Sequence, residues 1–142
     1  MLTTDRLELA GELDRLVTLL PRLTPRGGLS MVAASTLADL ERRGSRRITE
    51  LAETQGVTQP AMTGLVGRLA AGGLVERTPD PADRRGVLVT VTEDGRAVLA
   101  ARRDARATAL AALLDDLDAD DCAALAAAMG AINRLVTRGL HA

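Results

Sequence analysis

Leu9, Leu13, Leu16 and Leu20 recur at helical spacing and predict an N-terminal amphipathic helix. Thr3 or Thr4 offers its N-cap, and Asp5 and Glu8 suit the positive end of its dipole. Pro21 and the run Thr24-Pro25-Arg26-Gly27-Gly28 are expected to end it. A second helix starts at Ser30, a good cap, and passes through Leu37 and Leu40 to Gly44, placed as a terminating glycine.

The texture then changes. Arg46-Arg47-Ile48 is too short for more than one β-bridge. Thr49 to Gln55 reads as a two-turn helix, capped by Thr49 and stopped by Gly56. Thr58-Gln59-Pro60 begins another, with the proline in the first turn, where its missing N–H costs nothing. Met62, Leu65, Val66 and Leu69 carry it to Gly72-Gly73. Two short helices joined by a glycine-bearing turn outline a helix-turn-helix.

Leu74–Thr78 and the β-branched run Val87–Val91 predict two strands. The polar stretch from Pro79 to Gly86 between them reads as a long, projecting hairpin loop. Thr92 then caps a long helix through Val98, Leu99, Leu110, Leu113 and Leu114, with Glu93 and Asp94 in its first turn. Asp118 and Asp121 form an acidic capping box for a last helix. There Cys122, Leu125, Met129, Ile132 and Val136 make a coiled-coil-like seam.

A helix-turn-helix followed by a hairpin with a basic tip is the winged-helix arrangement. Ile48-Thr49-Glu50-Leu51-Ala52, Val57-Thr58-Gln59-Pro60-Ala61-Met62-Thr63 and Leu65-Val66-Gly67-Arg68-Leu69 resemble the recognition half of a MarR-family transcription regulator. So does Gly73-Leu74-Val75-Glu76-Arg77, followed by Asp80-Pro81-Ala82-Asp83-Arg84-Arg85-Gly86 and the run from Val87 to Gly95. The Asp-Arg-Arg before an apolar strand and the Thr-Glu-x-Gly helix start are the most specific elements. The resemblance extends over essentially the whole chain. Gly64 and Gly67 depart from it, standing where relatives carry polar residues. They either loosen the recognition helix or let its backbone approach DNA closely.

The expected fold is mainly α with a minor β part. Its order is helix, helix, short strand, helix, helix, strand, wing, strand, helix, helix. Residues 30–92 form the winged helix-turn-helix, and 1–29 with 93–142 form dimerisation helices of one MarR-type domain. The amphipathic end helices have no large core of their own to cover. Leu9, Leu13, Leu16, Cys122, Leu125, Met129, Ile132 and Val136 are therefore expected at a homodimer interface. Two-fold symmetry would set two recognition helices about 34 Å apart on a pseudo-palindromic operator.

In a DNA complex the helix from Thr58 lies in the major groove. Gln59 suits adenine, Ala61 a thymine methyl, and the Thr63 hydroxyl a base or phosphate. Pro60 and Gly64 lie on the same short segment. Arg68, two turns in, is better placed for phosphate. Arg84 and Arg85 suit a narrow minor groove, with Asp83 orienting one of them by an ion pair. Arg42, Arg43, Arg46 and Arg47 either hold flanking phosphates or complement a helix C-terminus. Taken alone, Thr58 to Pro60 is merely a good helix start and the wing a solvated loop. Their succession favours duplex DNA.

Composition changes little of this. The 142 residues are the size of one domain, and 46 % hydrophobic with 26 % charged residues excludes a disordered polymer. Phe, Tyr and Trp are absent, so the core is aliphatic, and an effector pocket would be aliphatic with arginine at its rim. Net charge is −1, so DNA binding rests on pattern. One cysteine allows no disulfide framework, no signal segment is evident at the start, and the longest uncharged apolar stretch, Cys122–Ile132, is too short to cross a bilayer. A cytoplasmic protein without membrane attachment is expected.

One His and one Cys provide no usual nucleophile–base pair, and the acidic run from Asp115 to Asp121 lacks calcium-loop spacing. No catalytic site, metal or cofactor is expected. The resemblance implies a dimeric repressor released by a small-molecule effector. A winged-helix module that binds a protein partner is the alternative.

Overall fold

The computed structural model describes residues 3–25 and 28–141. Its elements run α1 (Thr3–Val17), α2 (Leu20–Leu23), α3 (Met31–Arg43), β1 (Arg46–Arg47), α4 (Ile48–Gln55), α5 (Gln59–Ala71), β2 (Val75–Asp80), β3 (Asp83–Val91), α6 (Glu93–Leu114) and α7 (Ala119–His141). The fold is mainly helical with one antiparallel sheet ordered β1-β3-β2, a winged helix-turn-helix with helices at both ends. Arg46 pairs with Val89 and Arg47 with Leu88, so the arginine pair forms a two-residue strand.

Three local expectations are corrected. The first helix stops at Val17, where the Thr18 hydroxyl donates to the Arg15 carbonyl at 2.6 Å. Pro21 stands in the first turn of the separate helix α2, a position that needs no N–H, so it starts a helix and does not end one. The Thr3 or Thr4 cap concerns side chains outside the described residues, as do Arg26 and Gly27 of the breaker run.

Thr49 is not the cap of α4. Arg47 occupies the cap position, and Glu50 Oε2 accepts its backbone N–H at 3.1 Å. Gly56, at φ 63°, then ends α4 in the left-handed conformation that glycine adopts without strain.

The wing is no long loop. Pro79 pairs with Val87 and Asp80 with Asp83, leaving Pro81 and Ala82 as the turn. Arg84, Arg85 and Gly86 fall in the register shift between those two pairs and bulge from β3. The Asp80 carboxylate closes the turn by accepting the Ala82 N–H at 2.9 Å. A polar composition concealed a strand end because this side chain, not a hydrophobic face, organises it.

Leu37, Leu40, Leu51, Met62, Val66 and Val89 are completely or almost completely buried. The buried apolar cluster runs from Ala33 to Leu99, inside the winged part and the first turns of α6. No described residue of α1 or α7 is buried.

The expected caps at Ser30, Thr58, Thr92 and Asp118 are present, each accepting a backbone N–H three residues on. The Thr92 hydroxyl also donates to the Gly73 carbonyl at 2.6 Å. A Cβ on Gly95 would collide with the Leu74 carbonyl and lie 2.8 Å from Val91 Cγ2. The Thr-Glu-x-Gly start thus locks α6 against the junction of α5 and β2. No described helix is long and apolar enough to cross a membrane.

Candidate nucleic-acid interface

Helix α5 divides cleanly. Met62, Leu65, Val66 and Leu69 are buried, while Gln59, Pro60, Ala61, Thr63, Gly64 and Arg68 are exposed. Thr58, also exposed, holds the helix start through its Oγ1, which accepts the Ala61 N–H at 3.3 Å. The Thr63 hydroxyl donates to the Gln59 carbonyl at 2.9 Å, which turns its oxygen into an acceptor for an outside donor. Gly64 and Gly67 do not break the helix.

The wing stands beside this face. Gln59 and Thr63 of α5 share a cleft of about 260 Å³ with Asp83, Arg85 and Gly86 of the wing and Thr49 of α4. Arg84 and Arg85 are both exposed. Asp83 acts differently from the expectation: its Oδ1 accepts the backbone N–H of Arg85 at 3.0 Å. Among the described residues no ion pair joins Asp83 to an arginine, so it shapes the bulge and leaves the guanidinium free.

The arginine cluster before α4 is largely neutralised from within. Arg42 and Arg43 both pair with Asp39, at 3.0 and 3.2 Å, Arg46 with Glu50, and Arg47 with Asp80. Asp80 is nearly buried. Its pKa lies below the ordinary aspartate value, first because of the Ala82 N–H and then, against the cost of burial, because of Arg47. The sequence pattern alone did not assign this clamp. The Asp80-Pro81-Ala82 turn was its visible signal, since Asp commonly bonds the backbone two residues on.

Leu9, Leu16, Leu125, Met129, Ile132 and Val136 are exposed on the end helices, and Leu13 is half-buried. Cys122 is half-buried with its thiol directed back to the Leu114 carbonyl at 3.6 Å. A second cleft, of about 170 Å³, lies between α3 and α6. It has Met31, Ala34 and Ala38 of α3 on one side and Leu99, Arg102, Arg103 and Arg106 of α6 on the other. Arg102 donates to the Leu29 carbonyl at 3.1 Å and Arg103 pairs with Glu41 at 2.7 Å, tying α6 to both ends of α3.

Residues 29–87 match the profile of the MarR family. An HTH-type transcriptional regulator of Mycobacterium leprae is 35 % identical over 124 residues, covering 84 % of this chain and 86 % of that one. This chain belongs to the MarR family. The HTH-type transcriptional repressor NicR of Pseudomonas putida is 41 % identical over 71 residues, half of this chain and 45 % of that one. The transcriptional regulator Tm0710 of Thermotoga maritima superimposes with a TM-score of 0.73, covering 99 % of each chain at 24 % identity. The PcaV regulator of Streptomyces coelicolor, solved in complex with its natural ligand, gives 0.57 over 91 % of this chain and 89 % of that one, at 25 % identity. MarR-family proteins are transcriptional regulators that bind DNA, and this member is a regulator, not an enzyme.

Proposed function

We propose that this MarR protein is a homodimeric repressor of the cytoplasm, bound to a pseudo-palindromic operator and released by a small molecule. The observation that carries the DNA half of this reading is the shared cleft. Gln59 and Thr63 of α5 and Arg85 of the wing face one space, the arrangement needed to grip major groove, phosphate and minor groove together. In this complex Thr58, Pro60, Ala61 and Gly64 line the helix edge at the groove, and Arg84 takes backbone phosphate while Asp83 holds the bulge.

Dimerisation is supported by the exposed apolar residues of α1 and α7, which find no cover within one chain. In this division residues 30–92 bind DNA and the flanking segments pair. The repressor role follows the name of NicR. The effector reading is supported by PcaV, which has a natural ligand, and by the aliphatic and arginine-walled cleft between α3 and α6.

Sequencing the genomic fragments retained by the purified protein tests the reading. A shared inverted repeat, bound with affinity that falls steeply with salt, is the expected result. Retention of no particular sequence, together with salt-insensitive binding, would move the protein-partner alternative to first place.

A further inference from the structure

Glycine disfavours a helix interior, yet α5 holds Gly64 and Gly67 without interruption from Gln59 to Ala71. The two glycines differ in surroundings. Apart from the helix's own backbone, a Cβ on Gly67 would meet nothing within 4 Å, whereas one on Gly64 would lie 3.7 Å from Nη1 of Arg68. Helical side chains lean towards the N-terminus, and residues four apart stack. Arg68 follows that rule, so its guanidinium lies over Gly64, about one turn nearer the helix start than its own Cα.

The surrounding face is small. Ala61, Gly64 and Ala71 are exposed around Arg68, and no ion pair among the described residues involves this arginine. A helix edge this narrow lets the backbone settle deep in a groove. The one long cationic side chain there then has its donors at the level of the base edges. A guanidinium so placed can bond the O6 and N7 acceptors of guanine together.

We infer that Arg68 reads a guanine, and that Gly64 is the gap through which it does so. This replaces the phosphate role expected from its position along the helix, and it rests on the DNA-binding reading above.

The test is selection from a random-sequence duplex library by the full-length wild type, Arg68→Ala and Gly64→Leu. Wild-type sites should hold a guanine at one symmetry-related position. Arg68→Ala should lower that preference about tenfold and leave the other positions unchanged. Gly64→Leu should erase the same preference while raising the melting temperature, because Leu is the better helix former and its side chain takes the space of the guanidinium. Uniform weakening on all sequences by Arg68→Ala, with a salt slope reduced by about 1, would make Arg68 a phosphate contact and overturn the inference. A guanine preference that survives Gly64→Leu would overturn it too. A wild type that binds no duplex in a salt-sensitive way would instead sink the DNA-binding reading itself, and this inference with it.

Discussion

Arg47 Nε donates to Asp80 Oδ2 at 2.5 Å, joining the start of α4 to the turn of the wing across 33 residues of sequence. The carboxylate is the organising partner. Its other oxygen accepts the Ala82 N–H, and Gly86 lies so close that a Cβ there would be 3.1 Å from Asp80 Cβ. One buried acid therefore sets both the shape of the wing and its position beside α5, which explains how Arg85 reaches the same cleft as Gln59 and Thr63.

Asp80→Asn should lower thermal stability at neutral pH. The folded pKa of Asp80 lies below its ordinary value of 3.8, so its carboxylate stabilises the fold above that pH and ceases to as pH falls through the folded value. Melting curves of wild type and variant should therefore differ at pH 7, begin to converge as pH falls below about 3.8 and meet once it has passed the folded value, as far as this group is concerned. A gap that stays constant down to pH 3 would contradict the assignment.

Gly95→Ala should destabilise by about 1–3 kcal/mol, because the added methyl meets the Leu74 carbonyl and the Val91 side chain in a packed junction. Chemical denaturation measures this directly. A neutral substitution would mean that α6 shifts freely against the sheet.

Gln59→Ala should cost about 1–3 kcal/mol on specific duplexes and leave scrambled ones nearly unaffected. Competition binding on the two duplexes decides it. Equal losses on both would reduce Gln59 to a positioning contact.

Arg85→Ala should weaken operator binding, lower the salt slope by about 1 and relax any preference for flanking A·T pairs. Its exposed position predicts no change in folding. Titrations at several salt concentrations that superimpose on wild type would remove the wing from the DNA complex.

Ile132→Asp puts a charge into the exposed apolar seam of α7. Sedimentation should shift from dimer to monomer, with operator binding lost. A wild type that sediments as a monomer at micromolar concentration while binding specific DNA tightly would refute the dimeric arrangement.

The helices and most of their ends were determined by the sequence itself, because their signals are local. A cap at Ser30, Thr58, Thr92 or Asp118 and an apolar residue every three or four positions act within one or two turns, whatever the rest of the chain does. The face of α5 presented to solvent followed directly from the spacing of Met62, Leu65, Val66 and Leu69. Features that depend on partners distant in sequence were decided only by the tertiary structure. Arg47, the residue at the cap of α4, belongs to β1 and pairs with β3, and the supposed long loop became a tight hairpin because β2 and β3 pair out to Asp80 and Asp83. Of the arginines before α4, Arg42, Arg43 and Arg46 pair with Asp39 and Glu50 three or four residues away, whereas Arg47 is partnered by Asp80 across 33 residues. Local bonds leave their pattern in neighbouring residues, whereas a strand pairing or an ion pair such as Arg47–Asp80, 33 residues apart, exists only after the elements have packed.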